Sequence, residues 1–386
     1  MIHPQGKFTS FIIAVISAWC LLSCQPQEER EQSEEMEEIN LSYAKGFKIY
    51  QGKGFKVLEV LKAFPEKHQP YRYLIQESEN VVIPTRKFDG KILLPAERVI
   101  LTSTTHIPHL DYLEETDKLI GFPNLDLISS KEVRSLIKDG SIQDLGRAAQ
   151  SNVEMIIDLQ PDWIMISTLG DEVKNLELLK SARIPAVLNG EYVEQNPLGR
   201  AEWIKFTGAL FGKLEEATEV FENIEKEYLE AEKLTLNLPN ANLPKVMSGV
   251  MYKDIWYAPG NDSWGTKLLK AAGGQYIFED QKGTGSVQLS YEYVLENTDE
   301  ADFWIGAADF KSLSDITSTD RRYANLRPVQ EKQVYTYTSK KGETGGVEYF
   351  ELGYMRPDLI LKDLIKILHP ELLPDYQLYF YTQIDG

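Results

Sequence analysis

Residues 151–168 read SNVEMIIDLQPDWIMIST, and this stretch decides the fold class. Ser151 to Leu159 has helical spacing and is stopped by Pro161, which cannot continue a helix. Trp163-Ile164-Met165-Ile166 then forms a continuous apolar run, the signature of a strand covered on both faces. Helix followed by a doubly buried strand is the repeating unit of an α/β layer with a largely parallel sheet.

The same alternation extends in both directions. Upstream, strands are predicted at Phe47 to Gln51, Tyr71 to Gln76, Arg98 to Thr102 and Lys118 to Phe122; downstream, at Ile184 to Asn189. Trp203, Phe206, Leu210, Leu214, Ala217, Phe221, Ile224, Tyr228 and Ala231 then recur three or four apart, and no proline intervenes between Arg200 and Asn237. That spacing predicts one helix over residues 200–237, roughly 50 Å long at 1.5 Å per residue. After Pro244 the α/β pattern resumes with Lys245 to Met251, Trp264 to Ala272, Phe303 to Gly306, Gln333 to Thr338 and a closing helix at Pro357 to Leu368. The expected architecture is an α/β lobe over 46–199, a single long bridging helix over 200–237, and a second α/β lobe over 238–386.

The N-terminus has a different character. Lys7 precedes an apolar stretch of 15 residues, Phe8 to Leu22, the length of a signal peptide rather than a membrane span. It ends in Leu21-Leu22-Ser23-Cys24, which resembles a bacterial lipobox, so 1–23 is assigned as a lipoprotein signal peptide and Cys24 as the lipidated residue. Cys20 and Cys24 are the only cysteines, so the mature chain has no internal disulfide and no cysteine cluster or nucleophile. Gln25 to Asn40 holds seven glutamates and no aromatic residue, and 24–45 is read as an acidic, disordered tether. A net charge of −18 argues against nucleic acid and against lying flat on an anionic membrane. The lipid is then the sole attachment to a membrane, with the protein outside the cytoplasm.

Two motifs carry a resemblance to a known family. Ser151 to Asp162 resembles an asparagine-leucine-glutamate helix leading to proline-aspartate, and Leu289-Ser290-Tyr291-Glu292-Tyr293-Val294-Leu295 resembles a serine-x-glutamate helix before a buried strand. Ala271-Ala272-Gly273-Gly274 before Tyr276-Ile277-Phe278, and Leu326-Arg327-Pro328-Val329 before Val334-Tyr335, fit the same pattern. Together, from about Arg98 to Leu373, the chain resembles the substrate-binding proteins of ABC importers for iron-siderophores, haem and cobalamin. The resemblance implies two α/β lobes joined by one helix, a monomeric receptor without enzymatic activity or bound cofactor, and an ABC permease as partner. It also implies that Glu154 and Glu292 are permease-docking residues. The segment from Gly46 to Pro95 exceeds the family minimum and is expected to add strands to the first lobe.

Ligands of parallel α/β sheets bind beyond the carboxyl ends of the strands. This places Ser103, Thr104, His106, Arg147, Gln150, Tyr192, Tyr252, Trp256, Tyr257, Tyr349 and Phe350 at the inter-lobe cleft. The aromatic residues suit a flat iron or cobalt chelate, and Arg147 is a candidate partner for a ligand carboxylate. His106 and His109 are three apart, but Pro108 intervenes and the second lobe offers no matching set for a free metal. His106 is therefore read as touching a chelate or capping a helix, with a zinc or manganese receptor as the alternative. A further alternative is a surface or sensory lipoprotein that binds its ligand without a permease. No phosphate loop or nucleophile elbow is present, and the paired-lobe chelatases and oxidoreductases are disfavoured by the missing cysteines and few histidines.

Overall fold

The computed structural model describes residues 36–64, 69–146, 152–168, 176–240 and 243–385. Two parallel sheets organise the chain. The first has the strand order Ala186–Asn189, Trp163–Ser167, Val99–Leu101, Leu119–Phe122, Gln143–Asp144, with every neighbouring pair parallel. Val99–Leu101 and Trp163–Met165 are wholly buried, as their unbroken apolar runs require. The second runs Gln275–Tyr276, Lys245–Ser248, Phe303–Ala307, Val334–Thr336, Thr382–Gln383 and is parallel except for its last strand. A three-stranded antiparallel sheet, Val250–Tyr252, Ile255–Pro259 and Ser286–Ser290, adjoins the second lobe.

Ahead of the first lobe lies a five-stranded sheet, in order Glu37–Ile39, Phe47–Gly52, Phe55–Val60, Tyr71–Gln76, Gly90–Leu93. Its inner face sends Phe47 against Trp203 and Phe206, with ring centroids 4.5 Å and 5.4 Å apart. This corrects the expected tether: residues 37–45 are ordered. Glu37–Ile39 pairs with Phe47–Gly52, and the chain that follows is held by two buried carboxylates. Glu202 accepts the backbone N–H groups of Ser42, Tyr43 and Ala44 at 2.8–2.9 Å, and Glu194 accepts those of Lys45 and Gly46 at 2.7–2.8 Å. Burying such a segment leaves backbone donors that need partners, and these two acids supply them. Glu202 also takes Lys205 Nζ at 2.9 Å in an almost fully buried ion pair.

The expected unbroken helix over 200–237 is a second correction. The connection is delivered as three helices, Pro197–Ala201, Ile204–Phe211 and the 20-residue Leu214–Lys233. Gly212 ends the middle one with φ +75°, a left-handed cap that glycine adopts without a Cβ penalty. Gly208 makes the adjoining turn possible, since a Cβ there would stand 2.5 Å from that of Ala217. The break divides the labour. Phe206, Ala209 and Leu210 belong to the first lobe's core, whereas Ala217, Phe221, Ile224 and Tyr228 pack into the second lobe's, with Ile360, Leu361 and Leu364 of Pro357–Leu368. Among the described residues Leu214–Lys233 is the longest helix, and none is long and apolar enough to cross a membrane.

Candidate functional site

The strand Lys245–Ser248 ends at Gly249, whose φ of +111° swings the chain out of the parallel sheet into Val250–Tyr252. A Cβ on Gly249 would meet the carbonyl oxygen of Tyr257 at 2.4 Å, so the turn needs glycine. Two indoles brace it from beneath: Trp256 Nε1 donates to the Ser248 carbonyl and Trp304 Nε1 to that of Gly249, each at 3.0 Å. Above this turn opens a cavity of about 820 Å³. Ser248, Gly306 and Tyr337, at or close to the ends of second-lobe strands, form one side; Tyr192 and Glu194 of the first lobe, with Arg200 of the connection, form the other.

Aromatic rings dominate the second-lobe wall. Tyr337 and Tyr349 stack with centroids 4.1 Å apart and planes 15° from parallel. Tyr381 and Phe350 meet Tyr349 edge-on at 5.9 Å. Burial drives the phenols of Tyr349 and Tyr381 well above their usual range, so both stay neutral. Trp264 and Tyr354 continue the wall, and the Arg200 guanidinium carbon lies 4.5 Å and 4.1 Å from their ring centroids. Arg200 Nε donates to the Glu194 carbonyl at 2.9 Å, and one Nη to that of Tyr192 at 2.8 Å.

Along one flank the lobes touch directly. The Glu351 carboxylate accepts the N–H groups of Ser129 and Ser130 at 2.6 Å and 2.8 Å. Ser129 Oγ donates to the Gly346 carbonyl at 3.0 Å, and Thr344 Oγ1 to that of Asp126 at 2.8 Å. Asp111 stands behind, accepting Ser130 Oγ at 2.9 Å.

Of the residues assigned to the cleft from sequence, Tyr192, Tyr257, Tyr349 and Phe350 line this cavity. Trp256 does not: it is fully buried against Trp304 and Tyr323, supporting the cleft turn from the core. Tyr252 is corrected too, being 60% exposed at the tip of the antiparallel sheet and outside the cavity. Ser103 caps a short 3₁₀ turn through Thr105 N–H, with Thr104 inside that turn, and neither reaches the cavity. His106 is fully buried, with Nε2 3.4 Å from Glu191 Oε1, while Thr105 Oγ1 donates to the same carboxylate. It does not line this cavity; it stands at the N-cap position of Ile107–Leu113, without a side-chain capping hydrogen bond. His109 bonds Thr207 Oγ1 at 2.8 Å, and burial lowers its pKa to about 4. Arg147, Gln150 and Cys24 lie outside the described residues. Glu154 and Glu292 sit exposed in the first turns of Val153–Leu159 and Tyr291–Thr298, N-capped by Asn152 and Ser290.

Arg200, Trp264, Tyr337, Tyr354 and Tyr381 were missed. Tyr337 was within reach, because it immediately follows the end of a predicted strand. Arg200 was hidden by the long-helix reading, although Asn196-Pro197 is a helix-start signal placing it in the first turns of a short helix.

Two parallel α/β lobes facing each other across an aromatic cavity define a two-lobed solute-binding protein. Residues 99–341 match the family model described as periplasmic binding protein, and the chain belongs to that family. It is 29% identical over 301 residues to an uncharacterized lipoprotein of Methanocaldococcus jannaschii, covering 76% of this chain and 70% of the relative. Solved structures share the fold. A possible iron-binding (periplasmic solute-binding) protein from Staphylococcus epidermidis superposes with a TM-score of 0.56 at 20% identity, covering 71% of this chain and 99% of that one. The periplasmic heme-binding protein RhuT from Roseiflexus gives 0.55 at 15% identity, covering 72% and 99%.

Proposed function

We propose that this protein is the substrate-binding component of an ABC importer. It captures a metal chelate (a ferric siderophore, haem or cobalamin) in the inter-lobe cleft and hands it to a permease. The observation that carries this reading is the 820 Å³ cavity walled by Tyr337, Tyr349, Phe350 and Trp264 between the lobes. Its size and flat apolar faces suit a planar or catechol-bearing chelate. The iron-binding and heme-binding names of two structural neighbours agree with that class. Cys24 holds the protein to a membrane outside the cytoplasm, in keeping with the lipoprotein name of its relative.

Glu154 and Glu292 engage the permease. Each opens a helix that leads into a parallel strand, Trp163–Ser167 or Phe303–Ala307, so both lie toward the carboxyl ends of the sheets, where the cleft opens. Acids at fixed places on two lobes orient and steer a docking partner. For a zinc or manganese receptor the support is thinner. Among the described residues no group of three or more histidine, cysteine, aspartate or glutamate side chains is arranged to hold a metal.

Isothermal titration calorimetry of the purified protein against haemin, cyanocobalamin, ferric enterobactin, ferrioxamine B and zinc tests the reading. Saturable heat with one chelate supports the receptor. Heat with zinc alone returns weight to a free-metal receptor, and no heat with any of the five overturns capture of a chelate.

A further inference from the structure

A short stretch of the second lobe, residues 342–351, reaches across to the first. Beside the contacts of Thr344, Gly346 and Glu351 with residues 126–130, Glu343 pairs with Lys138 at 2.7 Å. Just beyond it, Arg356 Nη1 donates to the Tyr112 hydroxyl at 2.7 Å. The family match stops at residue 341, so the second-lobe half of these contacts lies outside the matched region. Its backbone is fitted to the opposite lobe. A Cβ on Gly346 would stand 2.1 Å from the Leu127 carbonyl oxygen, and one on Gly342 would stand 2.8 Å from Ser129 Cα. Neither glycine has a positive φ, so close approach to the first lobe, rather than a turn, is what excludes a side chain at both. Glu351 is 4% exposed, yet both N–H groups its carboxylate accepts belong to the first lobe. They stand at the start of Lys131–Lys138, the positive end of that helix.

We propose that residues 342–351 form an inter-lobe latch positioned by Glu351: engaged, it fixes the separation of the lobes, and it must release for the cleft to open on this flank. The contacts suit a reversible device. They are hydrogen bonds and an ion pair, and Lys138 and Glu343 are more than half exposed, so water can replace their partners when the lobes part. The latch also reaches the cavity. The helix Glu348–Leu352 carries Glu351 and, in the same turn, the wall residues Tyr349 and Phe350. Glu348 ties that helix to its own lobe by accepting the Tyr379 hydroxyl at 2.5 Å. Lobe separation therefore moves the wall, and a ligand packed on Tyr349 favours the engaged latch as much as the engaged latch favours the ligand. The latch depends on the two-lobed fold alone, whatever the cleft binds.

Double electron–electron resonance tests it by reading the distance between spin labels on the two lobes. The labels sit on Asp158→Cys and Glu296→Cys, exposed positions of Val153–Leu159 and Tyr291–Thr298, in the full chain with Cys20→Ser and Cys24→Ser so that no other thiol reacts. Two variants release the latch by different routes. Glu351→Ala removes the carboxylate, whereas Gly346→Ala obstructs the approach to Leu127 and leaves each lobe's own contacts in place. Circular dichroism and the unfolding midpoint check that each folds. The expected result is one narrow distance with the latch intact, and in both variants a shift or broadening to longer distance by roughly 2 Å or more. An unchanged distribution in Gly346→Ala overturns the latch, even if Glu351→Ala misfolds. A broad distribution before either change also overturns it, because an engaged latch holds one separation. Chelate binding is measured separately, so neither result is confused with failure of the receptor reading.

Discussion

Glu351 of the second lobe receives the backbone N–H of Ser130 in the first, 221 positions away in sequence, at 2.8 Å. Ser130 is the N-cap of the helix Lys131–Lys138, so this carboxylate is tied to the start of a helix in the opposite lobe. Burial raises the pKa of Glu351 from 4.5 to about 7 and that of neighbouring Asp111 from 3.8 to about 6. An acid with a raised folded pKa keeps its proton where the unfolded chain has lost it, so its contribution to stability falls as pH rises between those values. For Glu351 that window runs from about pH 4.5 to 7. His109, lowered to about 4, acts in the opposite sense between pH 6.5 and 4. Comparison with Glu351→Gln cancels the shared terms. Relative to that variant, wild type is expected to lose stability of the order of 3 kcal/mol between pH 4.5 and 8, read from urea midpoints. A pH-independent difference refutes the assignment.

The clamp on residues 42–46 makes a second prediction. Replacing Glu202 by alanine leaves three backbone N–H groups and the buried Lys205 ammonium without their acceptor. The expected loss is about 3–5 kcal/mol, the range for breaking one side of a buried pair. Urea unfolding measures it, and a loss below about 1 kcal/mol contradicts the clamp.

Trp256→Ala and Tyr349→Ala separate support from contact. Removing the buried Trp256 indole is expected to cost about 3–5 kcal/mol while affinity in the folded fraction holds. Tyr349→Ala removes a cavity wall and is expected to weaken chelate binding by about tenfold or more. Calorimetry beside thermal unfolding distinguishes the two, and the opposite pattern reverses their roles.

Charge reversal at the proposed docking acids, Glu154→Lys with Glu292→Lys, is expected to abolish uptake in cells and leave ligand affinity unchanged. Both side chains are exposed, so the fold tolerates the change. Full uptake by the double variant removes these acids from docking, and lost affinity places them in ligand binding instead.

The parallel sheets were legible because strands such as Val99–Leu101 and Trp163–Met165 are apolar at every position, which only a doubly covered strand requires. The cleft was harder to read. Assigning both Trp256 and Tyr257 to it ignored the pleat: in Ile255–Pro259 burial alternates, turning Trp256 and Ala258 to the core and Tyr257 toward the cavity. The crossover misled differently. Apolar residues three or four apart fit one long helix as well as two short ones facing different cores, and only Gly208 and Gly212 mark the break. Nothing local announces that Glu194 and Glu202 will seize a backbone about 150 positions upstream.

Five of the six tryptophans lie among the described residues, and four of them, Trp163, Trp203, Trp256 and Trp304, are sealed in the cores. Trp264 alone of the five borders the cavity, with the Arg200 guanidinium 4.5 Å from the centre of its ring. The protein thus carries an optical reporter at the cleft: a ligand that draws Arg200 or Tyr354 away changes the immediate surroundings of Trp264 and of none of the other four. Trp264→Phe should remove that local contribution to the emission change while calorimetric binding persists, so occupancy of the cleft can be read from an indole the molecule itself supplies.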